Sequence, residues 1–88
     1  MNDIYIYGQN MTKLEDLPEN IDRDFYCYNN KLTSLKGCPK RIGRMLGCSH
    51  NQLTVLIYFP KKVYHTAFLN NNLLTTDYIP NHSGGDIF

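Results

Sequence analysis

The chain is built on a 21-residue period. When residues 21–41 are laid over residues 42–62 without gaps, nine of the 21 positions are identical, where average residue usage gives roughly one. The identities are Ile21/Ile42, Arg23/Arg44, Cys27/Cys48, Asn30/Asn51, Leu32/Leu53, Thr33/Thr54, Leu35/Leu56, Pro39/Pro60 and Lys40/Lys61. Upstream, Ile4, Ile6, Gln9, Met11, Thr12, Leu14 and Pro18 keep the frame with conservative changes, and downstream Val63, Ala67, Leu69, Asn72, Leu74 and Thr75 do the same. One residue is then missing before Pro80, and Thr76 stands where the earlier units carry Leu35 and Leu56, which marks the last unit as a distorted cap. Four units follow, about 3–20, 21–41, 42–62 and 63–80, making one domain over 1–80 with 81–88 as a turn-rich tail. Repeats this short cannot close a core alone, so they must stack on one another as a small β-rich solenoid of about four coils.

Within a unit, apolar residues alternate over a few positions, as in Phe25-Tyr26-Cys27 and Leu46-Gly47-Cys48. Strict alternation predicts a half-buried strand. A spacer, an Asn and a Leu two places on complete the pattern, which resembles the leucine-rich repeat family. The resemblance covers about nine tenths of the chain. It is closest to the short proline-containing repeats of bacterial effectors, bacteriophages and large DNA viruses. It implies a short parallel sheet on a concave face and an inward ladder of Asn30, Asn51 and Asn72 whose amides satisfy backbone groups. The returning segments end in Pro18, Pro39 and Pro60, which excludes long helices and predicts irregular or 3-10 backbone.

Successive strand residues point to opposite faces, so the register assigns an outward set. Its rows are Tyr5, Tyr26, Gly47, Phe68 and then Tyr7, Tyr28, Ser49, Asn70, flanked at the strand exit by Gly8, Asn29, His50, Asn71 and at the strand start by Asp3, Asp24, Met45, Thr66. Five aromatics gather on the open sheet face. One reading is structural, with tyrosines on neighbouring strands stacking to stabilise the sheet. The functional reading makes Tyr5, Tyr7, Tyr26, Tyr28 and Phe68 the anchors for a protein partner, with Asn29, His50 and Asn71 as adaptable polar contacts.

The formal net charge of +1 conceals an asymmetry. Residues 1–24 carry six acidic and two basic side chains, whereas residues 25–76 carry seven basic and none acidic. Lys40/Lys61 and Arg41/Lys62 hold equivalent places and predict a basic ladder with Lys36 and Arg44 nearby. Such a ladder is either a solvated turn face or a surface for acidic protein or phosphate. Aromatics interleaved with it would suit single-stranded nucleic acid, but the tyrosines and the lysines are expected on different faces, so nucleic acid is the alternative partner.

No catalytic constellation emerges. Eighty-eight residues exclude a two-lobed enzyme. Cys27 and Cys48 fall at equivalent inward positions, where they read as small hydrophobes, and Cys38 aligns with Leu17 and Phe59. CxxC spacing is absent, so neither a metal nor any other cofactor is expected. Three cysteines, an odd number, read as reduced. No apolar run approaches the roughly 18 residues of a membrane span, and the start of the chain lacks the features of a secretory signal, so a cytoplasmic location is expected, that of the host cell if the origin is phage or viral. The family resemblance implies a protein-recognition module, one that inhibits or redirects an enzyme by covering its working surface. Self-association through a sheet edge or a solenoid end is the structural alternative.

Overall fold

The computed structural model describes residues 3–75, 83–84 and 87. Among the described residues eight two-residue strands follow one another: β1 (Ile4–Tyr5), β2 (Asn20–Ile21), β3 (Phe25–Tyr26), β4 (Arg41–Ile42), β5 (Leu46–Gly47), β6 (Lys62–Val63), β7 (Ala67–Phe68) and β8 (Ser83–Gly84). Odd and even strands separate into two four-stranded parallel sheets, ordered β1-β3-β5-β7 and β2-β4-β6-β8. The result is a small, sheet-rich protein with no helix among the described residues.

The first sheet forms where the alternation predicts it. Ile4, Phe25, Leu46 and Ala67 pair in register, as do Tyr5, Tyr26, Gly47 and Phe68. Each pairing therefore joins residues one period apart. The ladder runs past the named strands, since the amides of Ile4, Ile6 and Gly8 donate to the carbonyls of Asp24, Tyr26 and Tyr28 at 2.9, 2.7 and 3.2 Å. Phe25, Leu46, Cys27 and Cys48 are fully buried while Tyr26 between them is half-buried. That is the period-2 pattern of a sheet with one covered face.

The second sheet is an addition to the expected returning segments, whose backbone between the two-residue strands is turns and irregular chain. In it Asn20, Arg41, Lys62 and Ser83 pair in one row and Ile21, Ile42, Val63 and Gly84 in the next. Strands β2, β4 and β6 each contribute one inward apolar residue, Ile21, Ile42 and Val63, all buried, and a single inward residue leaves no alternation to read. Constant unit length brings these short stretches into register, and their backbone groups then pair with each other.

Of the tail over 81–88, expected to be turn-rich, residues 83, 84 and 87 are described. Ser83–Gly84 continues the second sheet as β8, and Ile87 makes a parallel bridge to Ala67 while packing against the core. Pairing supplies the reason: β6 and β7 would otherwise present backbone groups with no ladder partner, and these can be met without any side-chain pattern. The expected deletion before Pro80 and the exchange at Thr76 lie outside the described residues.

Between the sheets, columns of like residues stack: Leu32 on Leu53, Leu14 on Leu35 on Leu56, and Ile21 on Ile42 on Val63, all buried. Burial of each such side chain contributes about 1.5–3 kcal/mol. The asparagine ladder spans the same interior. Asn30 Nδ2 donates to the carbonyls of Ile6, Cys27 and Tyr28, and its Oδ1 accepts from the amides of Gln9 and Met11. Asn51 repeats this one period on, with Cys27, Cys48 and Ser49 as acceptors and Leu32 as donor. Asn72 does so again with Cys48, Leu69, Asn70 and Leu53. Each side chain stitches its own strand to the preceding one where the chain leaves the sheet.

Candidate functional site

The outward side of the first sheet carries an aromatic stack. Tyr5 and Tyr26, neighbours across β1 and β3, have ring centroids 5.1 Å apart and planes within 19°. Tyr26 and Tyr28, neighbours along one strand, are also 5.1 Å apart, at 23°. Gly47 on the adjacent strand makes this possible. A Cβ there would overlap Tyr26 Cδ1 and lie 2.6 Å from Tyr28 Cζ, so both rings lean over the bare backbone of β5. The Tyr26 hydroxyl donates to Met45 Sδ at 3.4 Å, which fixes the tilt of its ring.

The stack is graded from covered to open. Tyr26 and Tyr28 are half-buried, whereas Tyr5 and Tyr7 are 55% and 59% exposed. Burial, followed by the negative charge of Asp24, pushes the Tyr26 phenol above its ordinary range. Burial also raises Tyr28, with smaller contributions from Cys48 and Cys27. Both phenols are thus held neutral, apolar on the ring face and able to hydrogen-bond at the tip. Phe68, half-buried, completes the row on the far side of Gly47. Stacking and solvent exposure are both present on this face, and Tyr5 has both.

The polar row beside it has a backbone origin that the sequence reading missed. Gly8, Asn29, His50 and Asn71 are one period apart, and all have positive φ, at 68, 55, 59 and 60°. Only Gly adopts this left-handed region freely, with Asn, Asp and His the least penalised of the rest. The identities of the row thus follow from a turn that each unit makes at the strand exit. All four residues are exposed, and Asn71 Nδ2 lies 3.3 Å from His50 Nε2. The sequence signal for this turn is the series Gly8, Asn29, His50, Asn71 at one place in the repeat, the residue types least penalised at positive φ.

Other outward assignments change too. Asp24 is buried, and its Oδ1 accepts from the Met45 amide at 3.0 Å, just as Asp3 Oδ1 accepts from the Asp24 amide at 2.9 Å. These aspartates cap the strand starts. Ser49 is buried with its Oγ 2.6 Å from Asn70 Oδ1.

The basic residues spread over several rows. Lys40 and Lys61 follow the prolines, Arg41 and Lys62 sit in register on the second sheet, Arg44 lies one short turn further, and Lys36 is on the preceding turn. All are exposed except Lys62, which is half-buried. Lys62 Nζ stands 4.9 Å from the centroid of the Tyr64 ring. That contact corrects the separation of tyrosines from lysines: it holds for the tyrosines of the first sheet, not for Tyr64. Tyr64 is 56% and Tyr58 47% exposed; Tyr64 aligns with Asp22 and Gly43, and Tyr58 with Asp16 and Gly37, so neither falls in an aromatic row of the first three units.

Cys27 Sγ and Cys48 Sγ lie 3.3 Å apart, both thiols free and buried. The hydrogen bond between them, together with burial, raises the Cys48 thiol well above its ordinary range, the opposite of what a nucleophile needs. Among the described residues no group of three His, Cys, Asp or Glu side chains could hold a metal ion, and no helix is long and apolar enough to cross a membrane. The chain matches no family model, no curated protein and no solved structure.

Proposed function

We propose that the chain is a small leucine-rich repeat solenoid that binds another protein through the outward face of its first sheet. One observation carries this reading: Tyr5, Tyr26 and Tyr28 form a continuous ring stack whose covered end is seated over Gly47 and whose open end is exposed. Stacked tyrosines present large area with few rotors left to order, the property that makes Tyr common at interface hot spots. The uniform register of both sheets and the asparagine ladder support the solenoid.

Tyr5 and Tyr7 supply the contact, and Tyr26 and Tyr28 hold Tyr5 in place. A partner covering this face would have its own working surface occupied, which is how so small a protein would inhibit or redirect an enzyme. The test begins with a partner isolated on the immobilised chain and identified by mass spectrometry. Its affinity is then measured against the Tyr5→Ala/Tyr7→Ala variant, whose substitutions fall at exposed positions. A loss of about thirtyfold or more is expected. Unchanged affinity in a variant with the parent's circular dichroism spectrum would remove the first sheet as the binding face.

A further inference from the structure

At the proline-bearing segments, which share no residue with the tyrosine stack, the units leave a groove of about 400 Å³. Its floor is set by the repeat, since Pro18, Pro39 and Pro60 line it one period apart, with Cys38 and Phe59 beside them. The second unit lowers one wall. Gly37 has φ 91°, and a Cβ on it would overlap the Leu14 carbonyl oxygen, so the chain passes there without a side chain. The third unit raises the other wall. Ile57 and Tyr58 stand out from it, 63% and 47% exposed. These are large apolar side chains that face water beside a groove and have no role in the core.

Charge selects the occupant. Lys40 and Lys61, both exposed, border the groove one period apart. Glu19 completes the row and pairs with Lys40 at 3.6 Å, with side chains 74% and 62% exposed. A pair that open to solvent contributes little to stability and exchanges readily for another carboxylate. Across residues 25–76 the sequence has no acidic side chain to oppose these lysines. A volume near the lower end of the roughly 300–1,000 Å³ of ligand pockets admits one or two side chains, not a folded domain.

We infer that this groove is a docking site for an acidic peptide segment, which places an apolar or proline side chain on the Pro39–Pro60 floor against Ile57 and Tyr58 and its carboxylates on Lys40 and Lys61. An extended segment suits the floor because its side chains alternate, one set entering the groove while the other meets the lysine row. A phosphodiester strand suits it less. The lining is mostly aliphatic and prolyl rather than a row of stacking rings, and Glu19 sits on the rim.

Fluorescence anisotropy with a short fluorescein-labelled peptide, a Phe-Pro pair flanked by glutamates, tests the assignment. The peptide is expected to bind the full chain and to weaken as salt rises from about 0.1 M toward 1 M, where the screening length falls from about 10 to about 3 Å. Lys40→Glu/Lys61→Glu and, separately, Ile57→Ser are each expected to weaken it about tenfold or more, one through charge and the other through contact. A Lys13→Glu/Lys31→Glu variant changes net charge equally at exposed positions outside the groove and is expected to retain binding. The peptide with lysines in place of glutamates is expected to prefer Lys40→Glu/Lys61→Glu. Failure of the acidic peptide to bind, or equal loss in the two charge-matched variants, overturns the proposal. So does tighter binding of oligothymidine than of the peptide at the same lysines. A rise in mass with concentration that Lys61→Glu abolishes would place a second copy of the chain in the groove instead, and would overturn it equally.

Discussion

The side-chain amide of Asn51 donates to the carbonyl oxygen of Cys27, 24 residues earlier, at 2.9 Å. The same nitrogen serves Cys48 and Ser49, and the side-chain oxygen takes the amide of Leu32. One buried residue therefore satisfies backbone groups of two units. In Asn51→Ala these groups lose their partners without gaining water, at about 1–3 kcal/mol for each one left unsatisfied. We expect urea denaturation to show a loss of about 3 kcal/mol or more. A loss below about 1 kcal/mol would mean that neighbouring backbone closes over the gap.

Three glycines separate two kinds of close approach. At Gly43 an added Cβ would overlap the carbonyl oxygen of Asp22, and at Gly37 that of Leu14, where φ is also 91°. Backbone cannot swing aside, so Gly43→Ala and Gly37→Ala each force neighbouring units apart and are expected to cost about 3 kcal/mol or more, read as a fall in Tm. At Gly47 the obstacle is the rings of Tyr26 and Tyr28. Gly47→Ala should therefore keep most of its stability while changing the tyrosine signal in near-ultraviolet circular dichroism and weakening partner binding.

His50 occupies the left-handed position that Gly8 fills without a side chain. His50→Gly relieves a backbone penalty of about 1–2 kcal/mol, against an added unfolded-state entropy of about 0.5–1 kcal/mol. A small net gain is expected in chemical denaturation. His50→Val, β-branched at positive φ, is expected to lose stability. If Val matched His, the turn at this position would not be governing residue choice.

Alkaline pH should act on the stack. Tyr26 and Tyr28 hold their phenolic protons more tightly in the folded protein than the ordinary value of 10.0, chiefly through burial. The folded state therefore binds more protons than the unfolded chain above that value. The stability these groups contribute is whole below about pH 10 and is lost as pH climbs through their raised folded values. Phenolate absorbance is expected to show a late-titrating fraction. That fraction should shrink in Tyr26→Phe and Tyr28→Phe, which also flatten the fall in stability on the alkaline side. Simultaneous ionisation of all the tyrosines in the native protein would contradict the burial of the stack.

The first sheet was legible because its inward positions recur as apolar residues with one outward residue between them, as at Phe25 and Cys27. The second sheet was not, because Ile21, Ile42 and Val63 are lone inward residues on two-residue strands, where hydrogen-bond register carries the pairing and side chains carry almost none of it. The asparagine ladder could be placed from sequence since its donors and acceptors are backbone groups at fixed offsets. The turn at Asn29, His50 and Asn71 was not legible because periodicity records identity and not φ. Asp24 looked outward because alternation was counted through the strand start, where its carboxylate turns back to the next unit's amide. Tyr64 was not legible as a surface residue because its counterparts, Asp22 and Gly43, are of another kind and periodicity says nothing of such a position.

The uniform offset of the strand pairs has a consequence for how such a protein can change length. Residue 25 pairs with residue 46 as residue 4 pairs with residue 25, so excising 21 consecutive residues from the middle of the chain restores the same partners across the cut. Molecular size here is an adjustable quantity, altered by whole increments through in-frame duplication or loss of a gene segment, with each increment bringing its own two strands and its own asparagine. Increments can differ wherever a side chain faces water, so new surfaces such as the Ile57–Tyr58 wall can arise in one copy while the others preserve the frame.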